Sequence, residues 1–386
     1  MRIGLCSLFK SSHGGGETLV AQLSSALIQS GYEVSNFYAF NKHPATQNNV
    51  GLSRAIFHLS HKPLLEDIFY DSEIVYHALR IHHFALHQKI NLLHFHYANL
   101  IPSSFFLRKI DRIPIVITLH FCPLDYPPEL ANKLWHSPVF PVHQYLSFTM
   151  GVRNAAQVIS PSKYYADLVE RRCGVRPIVI PNSICLDNFA HFPPKKNARE
   201  TLNFGPKDIV LLSVGRLSEE KGLVYLVKAF ENIVRQYPLA KLVLAGDGPT
   251  KEVLTNLVDK LHLPNVLFVG RIPNRKYSLD LLLSAADIYV SSSVYESFGL
   301  SVLEALASGL PIVCTNVGGL PEIVENGVNG ILVPPRNPDA LSEAVLSLVS
   351  NELMCRRMRE NNKKKAYLYS MDIIFPKILN LYNELL

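Results

Sequence analysis

Short apolar runs, each about as long as one buried strand, alternate along this chain with stretches of helical periodicity. The first run, Ile3–Phe9, leads through a glycine turn at Ser11–Gly16 into a helix predicted over Glu17–Ser30. Further strands are predicted at Asn91–Tyr97, Pro114–His120, Gln157–Ser160 and Pro177–Ile180. Because these runs are apolar throughout, both faces of each strand should be covered by helices. The pattern predicts an α/β fold built on parallel strands.

A second α/β series follows a break in the chain. The stretch Phe189–Asn197 is basic and is interrupted by two prolines, which marks a boundary. The strands predicted after it are Ile209–Val214, Ala240–Ala245, Val266–Val269, Ile288–Ser291, Pro311–Cys314 and Gly330–Val333. Of the 15 histidines, only His191 and His262 lie beyond Asp187. We therefore predict domains at 1–187 and 188–368, and a final apolar-striped helix at 369–386 that docks on one of them.

Charge and cysteine content narrow the class of protein. The net charge of +6 suits anionic ligands but is lower than a dedicated nucleic-acid-binding protein usually carries. The 6 cysteines are scattered without C-x-x-C pairs, which indicates neither a disulfide framework nor a structural zinc site. No apolar stretch reaches the roughly 18 residues of a membrane span. We predict a cytoplasmic protein with no nucleic-acid partner, and attachment to the inner face of the membrane stays open.

Two cations follow the first strand of the second series. Arg216 and Lys221 stand five residues apart, between the predicted strand Ile209–Val214 and a helix predicted over Gly222–Tyr237. Such strand ends border ligand clefts in parallel sheets. The guanidinium fork of an arginine and the point charge of a lysine can together hold a diphosphate. By composition alone, a solvated loop accounts for the same residues.

Two carboxylates flank a second helix start. The apolar spacing predicts a helix over Leu300–Ser308 that begins near Ser297–Gly299, where free amides and the helix dipole favour an anion. Glu296 lies in the loop before this helix, and Glu304 lies about one turn inside it. A carboxylate accepts hydrogen bonds from paired hydroxyls, as in a sugar or a ribose. Taken alone, such residues are more often surface charges.

These elements occur together in an order that resembles a known family. Glu296 and Glu304 form an E-x7-E element, and the chain also contains Gly215–Leu217, Glu220–Gly222, Ala245–Pro249, Gly309–Val313 and Val317–Glu322. The whole set resembles glycosyltransferase family 4, the retaining enzymes of the GT-B fold. The resemblance covers nearly the whole chain and is most specific between Leu211 and Pro335.

The resemblance implies an architecture and a reaction. Two Rossmann-like parallel-sheet domains would face each other across a cleft, with the helix at 369–386 crossing back to pack on the N-terminal domain. The enzyme would be a hexosyltransferase that moves a sugar from a nucleoside-diphosphate sugar to an acceptor hydroxyl, with retention at the anomeric carbon. Glycan, exopolysaccharide or glycolipid synthesis is the pathway class implied.

The family's donor residues fall on matching positions of the C-terminal half. Arg216 and Lys221 would bind the donor diphosphate, Glu304 the ribose hydroxyls and Glu296 a hydroxyl of the transferred sugar. Other positions would act through the backbone: Phe298, Gly299 and Leu300 at the sugar and phosphates, Arg271 and Ile272 at the nucleobase, and Gly246 at a close approach to the nucleotide.

The N-terminal half matches the family less closely. Gly15 and Gly16 belong to a glycine loop, His13–Glu17, that would approach the distal phosphate. The strand that ends at His120 resembles the one that presents a histidine to the transferred sugar, and Leu93–His96 resembles the family's short strand ending in histidine. Two positions depart from the pattern: Phe121–Pro123 follows His120 where relatives have a small or acidic residue, and Ser183 replaces a usual glycine.

Metal and cofactor expectations follow from the donor residues. No Asp-x-Asp pair occurs in the chain, and Arg216 and Lys221 can supply the positive charge that a divalent ion would bring. We therefore predict no essential metal and no cofactor, with a UDP-sugar favoured as donor. The histidines at 77, 82, 83 and 87 share a predicted helix, where a zinc site and ordinary packed or solvated imidazoles remain alternatives.

The acceptor and the rival functions are less constrained. The segments Val50–Asp71 and Leu124–Phe148 are aromatic and basic, which suits a carbohydrate or lipid-linked acceptor at a membrane surface, although ordinary loop packing explains them equally. A catalytically silent sugar-nucleotide-binding or scaffold protein and a nucleotide-sugar epimerase of the same fold are the alternatives. A dinucleotide-dependent oxidoreductase fits poorly, because His13–Glu17 lacks the G-x-G-x-x-G spacing.

Overall fold

The computed structural model of the protein describes residues 1–9, 15–40, 76–96, 103, 104, 107, 112–120, 140–273 and 275–386. The chain divides into two compact units. The N-terminal unit comprises residues 1–182 together with the chain end at 374–386, and the C-terminal unit comprises 183–373. The boundary lies a few residues before the predicted one at 187, because the amide of Ile184 already donates a hydrogen bond to the carbonyl oxygen of Tyr369.

Within the described part of the N-terminal unit, the sheet has six parallel strands in the order β2-β1-β3-β4-β5-β6. The strands are β1 (Arg2–Phe9), β2 (Glu33–Phe40), β3 (Leu92–Phe95), β4 (Ile115–Thr118), β5 (Gln157–Ser160) and β6 (Ile178–Val179). The helices are α1 (Gly15–Gln29), α2 (76–87), α3 (Phe140–Asn154) and α4 (Lys163–Cys173). The edge strand β2 was not predicted, since polar residues such as Ser35 and Asn36 interrupt its apolar pattern.

The last helix of the chain belongs to the core of the N-terminal unit. This helix, Met371–Leu385 (written α14 below), buries Ile374, Leu381 and Tyr382 against Ile3 and Leu5 of strand β1. An apolar stripe at helical spacing thus covers one face of the N-terminal sheet.

The C-terminal unit repeats the architecture. Its described strands form a parallel sheet in the order β12-β11-β10-β7-β8-β9. The strands are β7 (Ile209–Val214), β8 (Ala240–Ala245), β9 (Val266–Gly270), β10 (Ile288–Ser291), β11 (Ile312–Thr315) and β12 (Gly330–Val333). The helices are α5 (Asp187–Ala190), α6 (Lys195–Leu202), α7 (Leu223–Gln236), α8 (Lys251–Lys260), α9 (Leu279–Ala285), α10 (Leu300–Ala307), α11 (Leu320–Ile323), α12 (Pro338–Val349) and α13 (Glu352–Tyr367).

Two apolar layers sandwich this second sheet. Leu212, Val243 and Tyr289 point into the layer formed with α9 and α10. Leu211 and Leu242, one position away along their strands, point into the opposite layer under α7 and α12. Because successive strand residues face opposite sides, a strand covered on both faces is apolar at every position. This arrangement confirms the predicted parallel α/β fold.

Candidate active site

Three glycines end neighbouring strands of the C-terminal unit. Gly215 and Gly246 follow β7 and β8, and Gly270 ends β9. The amide of Gly215 donates to Ala245 O at 2.9 Å, and the amide of Gly246 donates to Gly270 O at 2.8 Å. A Cβ on Gly246, whose φ is +144°, would lie 1.8 Å from Gly215 O. Glycine is therefore required at position 246 so that the backbone leading to Arg216 can pass alongside.

Lys221 is fixed by the turn that contains it. A single 3-10 turn, Glu219–Lys221, ends at Gly222, whose φ of +58° is favoured in glycine. A Cβ at Gly222 would lie 2.2 Å from Ser292 O, and the Ser292 hydroxyl donates to Lys221 O at 3.0 Å. The turn is thus packed directly against the end of β10.

Lys221 and Glu296 form a short ion pair. Lys221 Nζ lies 2.6 Å from Glu296 Oε2, and the two side chains are 24% and 12% exposed. The hydroxyl of Ser293 donates to the same carboxylate oxygen at 3.4 Å. Burial lowers the pKa of Lys221, but the carboxylates of Glu296 and Glu220 outweigh burial and hold that pKa above its usual value. The ammonium therefore stays charged and can bind an anion.

A glycine pair holds the backbone of Glu296. The amide of Gly319 donates to Glu296 O at 3.2 Å. A Cβ on Gly318, whose φ is +54°, would lie 1.7 Å from the same oxygen. On the other side of the loop, the Thr315 hydroxyl donates to Ser293 O at 2.6 Å. Glu296 is consequently positioned both at its main chain and at its carboxylate.

Helix α10 begins immediately after this loop. Gly299 caps it with a φ of +101°, and Leu300 is its first residue. The first amides of an α-helix have no partner within the helix, so they can bind an anion. The Phe298 side chain is buried in the core beside Tyr369, with ring centroids 6.0 Å apart. Phe298 can therefore contribute to a site only through its backbone.

A small pocket connects the cations to the start of α10. Its lining includes Arg216, Lys221, Tyr289, Ser291, Ser293 and Ser301. Arg216 is exposed, and among the described residues its guanidinium has no ion-pair partner. Two fixed serine hydroxyls contribute to the lining, since Ser291 Oγ and Ser293 Oγ lie 3.3 Å apart. The pocket combines positive charge with hydroxyl groups, which suits a phosphorylated ligand.

Glu304 lies one turn inside α10 and is partly buried. Burial raises the pKa of its carboxyl to about 7. Burial also raises the pKa of Tyr289, whose hydroxyl donates to Val214 O at 3.2 Å. The Glu304 carboxyl is thus half-ionised near neutral pH, so a ligand that donates hydrogen bonds to it would favour the charged form.

The residues expected at the nucleobase follow strand β9. Gly270 has a φ of +73° and open space where a Cβ would stand. Arg271 is exposed, and Ile272 packs partly against the core of the C-terminal unit. Open space therefore adjoins the end of the strand at Gly270.

Three imidazoles meet at the ends of β3 and β4 in the N-terminal unit. His94 and His96 are buried, and His96 Nδ1 lies 3.1 Å from His120 Nε2. Burial lowers the pKa of His94 to about 3 and that of His120 to about 4, and it lowers the pKa of His96 well below the usual value. All three rings are therefore neutral at pH 7.

Comparison with known proteins places these two units in one family. Residues 13–188 match the family described as Glycosyltransferase Family 4, and residues 194–365 match Glycosyl transferases group 1. An uncharacterized glycosyltransferase of Methanocaldococcus jannaschii is 33% identical over 287 residues, which cover 72% of this chain and 70% of that protein. The chain belongs to glycosyltransferase family 4.

Two further relatives agree with this assignment. The N-acetyl-alpha-D-glucosaminyl L-malate synthase of Bacillus anthracis is 28% identical over 295 residues, covering 73% of this chain and 71% of that protein. A sucrose-phosphate synthase structure from Thermosynechococcus elongatus superposes with a TM-score of 0.82 at 25% identity, covering 100% of this chain and 98% of that chain. The family 4 glycosyltransferase therefore has the GT-B fold that its motifs implied.

The structure brings together only part of the donor set expected of this glycosyltransferase. Lys221 contacts Glu296 directly, and Arg216 lines the same pocket. Gly246 contacts the backbone at Gly215, so its glycine requirement is explained within the protein. His120, Gly15 and Gly16 lie in the N-terminal unit, where Gly15 and Gly16 form the first turn of α1 rather than a loop. His13, Gly14 and Phe121–Pro123 lie outside the described residues, as do Val50–Asp71 and 124–139.

Two positioning residues were missed by sequence reasoning. Ser293 and Gly318 contact Glu296, but they stand 3 and 22 positions from it, so no local pattern links all three. Gly318 was part of the family motif, without an assigned role. Its neighbour Gly319 supplied a signal, since a glycine pair between a strand and a helix indicates a close backbone approach.

The described residues contain neither a metal-binding cluster nor a membrane-spanning helix. Within them, no group of three or more His, Cys, Asp or Glu side chains could hold a metal ion. On α2, His77 is buried, and burial lowers its pKa to about 4, while the His83 and His87 rings lie 6.0 Å apart. No helix in the described ranges is both long and apolar enough to cross a bilayer.

Proposed function

We propose that this glycosyltransferase moves a hexose from a nucleoside-diphosphate sugar to an acceptor hydroxyl with retention at the anomeric carbon. The observation that carries the proposal is the Lys221–Glu296 ion pair of 2.6 Å in the pocket that Arg216 also lines. In the complex, the ammonium contacts the donor diphosphate while it stays paired with the carboxylate. Glu296 then accepts a hydrogen bond from the transferred sugar.

The cations act on the charge that develops as the glycosidic bond breaks. The bond between the anomeric carbon and the phosphate oxygen cleaves, and the diphosphate leaves with the electron pair. Arg216 and Lys221, together with the first amides of α10, stabilise that charge. Removing one such donor typically slows turnover by about 100-fold or more. We expect that loss for Lys221→Ala.

Retention is proposed to arise from attack on the face from which the diphosphate departs. The acceptor oxygen bonds to the anomeric carbon, and its proton passes to the leaving phosphate oxygen. Glu296 is a poor nucleophile here, since its carboxylate is neutralised by Lys221 and hydrogen-bonded to Ser293. The carboxylate serves instead as a binding group and an electrostatic aid.

The anomeric configuration of the product tests this proposal directly. NMR of the product formed from an α-linked donor should show an α-linkage from the first turnover. Glu296→Gln should lower turnover about 10-fold, the value of one hydrogen bond to a charged group. A β-linked product, or Glu296→Gln at full turnover beside an inactive Lys221→Ala, would contradict the assigned roles.

Catalysis without an essential metal is a further part of the proposal. Two side-chain cations and a helix N-terminus provide the positive charge that a divalent ion would otherwise supply. Full activity in excess chelator is the expected result. Loss of activity in chelator that magnesium restores would show that the cations do not suffice.

The acceptor is proposed to be a carbohydrate or a lipid-linked glycan, reached at the inner face of the membrane. Helix α2 supports membrane contact, because Tyr76, Leu79 and Leu86 lie on one face of it and are 57%, 57% and 59% exposed. Flotation with liposomes that contain or lack anionic lipid tests the contact. Binding to anionic liposomes is expected, and failure to float with either kind rules it out.

A further inference from the structure

The polar groups around His94 form a buried network in the N-terminal unit. His94 and His96 point to the same face of the sheet, as do Thr118 and His120 on the neighbouring strand, because strand side chains alternate. Tyr382 reaches this face from the terminal helix α14 and is fully buried. Family resemblance had singled out His120 alone as a site residue in this group.

His94 is held at both ring nitrogens. Its Nδ1 lies 2.5 Å from the Tyr382 hydroxyl, and its Nε2 lies 2.7 Å from Thr118 Oγ1. Burial raises the pKa of the Tyr382 phenol, which therefore remains a proton donor. With the phenol donating to Nδ1, the neutral ring carries its proton on Nε2 and donates to Thr118.

The imidazole ring of His94 packs against that of His96. The centroids of the two rings lie 4.1 Å apart. His96 in turn lies beside His120 edge to edge, with centroids 5.4 Å apart and planes within 15° of each other. The chain of contacts therefore runs from Tyr382 through His94 and His96 to His120.

The hydrogen bond between His96 and His120 couples their tautomers. Each ring is neutral, so each carries a single N–H. The bond of 3.1 Å between His96 Nδ1 and His120 Nε2 uses the proton of one ring and the lone pair of the other. The tautomer of His96 thus decides which nitrogen of His120 carries its proton.

We propose that His96 is a positioning residue that holds the ring of His120 and couples the tautomer of His120 to its own, while His94, hydrogen-bonded to Tyr382 of the terminal helix, packs against His96. The inference rests on the proposed role of His120 at the transferred sugar. A histidine that contacts substrate acts through one defined nitrogen, so its partner on the other nitrogen matters. The terminal helix then contributes a polar group to the reaction site as well as apolar cover.

The test compares two replacements of His96. His96→Phe keeps the ring volume but removes the hydrogen bond, while His96→Asn places an amide group near the position of Nδ1. We expect His96→Phe to lower kcat about 10-fold with the KM for donor nearly unchanged, since one hydrogen bond is lost in a buried site. His96→Asn should recover most of that loss. Release of nucleoside diphosphate from the sugar donor provides the assay.

A second readout needs no substrate. The imidazole nitrogen shifts of His120, measured on protein labelled with 15N-histidine, report its tautomer directly. The His120 shifts should be similar in the parent protein and in His96→Asn, and they should differ in His96→Phe, where the coupling to residue 96 is lost. An unchanged His120 tautomer together with an unchanged kcat in His96→Phe would overturn the inference.

The role of the terminal helix is tested with two tyrosines that contact it or belong to it, Tyr382 within the helix and Tyr32 after α1. Tyr382→Phe should alter the His94 shifts and lower kcat, whereas Tyr32→Phe should do neither. Tyr32 is the matched control because its hydroxyl donates to Asn383 Oδ1 of the same helix at 3.2 Å, outside the histidine network. Equal effects of the two variants would reduce Tyr382 to a packing role.

The proposed function of His120 is tested separately. His120→Ala should be slow if the ring touches the transferred sugar. Full turnover in His120→Ala would contradict that role while leaving the tautomer measurement valid. Failure of the proposed role of His120 and failure of the inference about His96 therefore give different results.

Discussion

At the residue scale, the position of Glu296 depends on a single hydrogen atom at Gly318. A methyl group in its place would lie 1.7 Å from the Glu296 carbonyl oxygen, so the loop would have to move and carry the carboxylate with it. A displacement of about 1 Å at a reacting group can lower turnover about 100-fold. We expect a loss of that size for Gly318→Ala.

Gly327→Ala is the control for this prediction. Gly327 also has a positive φ, +77°, but nothing lies within 4 Å of the position of its Cβ. Gly327→Ala should therefore lower the free energy of unfolding by about 1–2 kcal/mol through backbone strain, without a loss of turnover. Turnover and urea denaturation of both variants separate the two effects, and equal turnover in the two would remove the assigned role of Gly318.

A second prediction at this scale concerns pH. The Glu304 carboxyl has a pKa of about 7, so its charge develops as the pH rises through neutrality. If the carboxylate accepts hydrogen bonds from the donor ribose, affinity for the nucleotide sugar should rise between pH 6 and pH 8, roughly in step with the ionised fraction. Titration calorimetry with an intact nucleotide sugar measures this, and Glu304→Gln should give a flat profile.

Ionisation of the same carboxyl should lower the stability of the folded protein, although it should raise the affinity for the donor. Its pKa in the folded protein lies above the usual value of 4.5, so the folded state binds the proton more tightly than the unfolded state. The free energy of unfolding should therefore fall as the pH rises from about 4.5 through about 7, by up to about 3 kcal/mol. Glu304→Gln should remove that slope, and an identical slope in both proteins would contradict the assigned pKa.

At the element scale, the terminal helix α14 is part of the N-terminal core. Leu381 is 5% exposed and packs with residues of β1 and β3, whereas Leu386 at the chain end is 51% exposed. Leu381→Ala should therefore lower the free energy of unfolding by about 2–5 kcal/mol, and Leu386→Ala by about 0.5 kcal/mol or less. Urea denaturation measures both, and equal values would mean that the helix does not pack as described.

The strands of this fold could be predicted well because of how they are buried. The runs such as Ile209–Val214 and Ala240–Ala245 lie between two helical layers, and full burial leaves a continuous apolar signal in the sequence. The edge strand β2 gave no such signal, since its polar positions resemble a loop. The start of α1 was also misplaced, because the glycines at 15 and 16 resemble a turn, although first-turn residues need fewer helix contacts.

The site could be predicted only in part. The roles proposed for Arg216 and Lys221 rest on charge near a strand end and on the family resemblance, and those proposed for Glu296 and Glu304 rest on a family motif. Positioning groups come from distant parts of the chain, as Tyr382 and His94 of the histidine network illustrate at 288 positions apart. Local spacing carries no information on such contacts, so they emerged only from the folded structure.

At the scale of the whole molecule, each unit has candidate site residues near the strand ends of its parallel sheet. The C-terminal unit supplies the two cations, the carboxylates and the helix start, and the N-terminal unit supplies the histidine network. The C-terminal groups suit the proposed donor diphosphate, and the histidine network includes His120, the residue proposed at the transferred sugar.

The central claim is that the pocket around Lys221 binds a nucleoside-diphosphate sugar. Thermal denaturation in the presence of UDP, GDP and ADP and their sugars tests it most directly, with Arg216→Ala and Lys221→Ala beside the parent protein. A ligand at one hundred times its dissociation constant adds about 2.7 kcal/mol of stability. We expect one base to stabilise the parent protein, UDP first, and both variants to lose that gain. If no nucleotide stabilises the folded parent protein, or if the variants keep the full gain, the claim is contradicted.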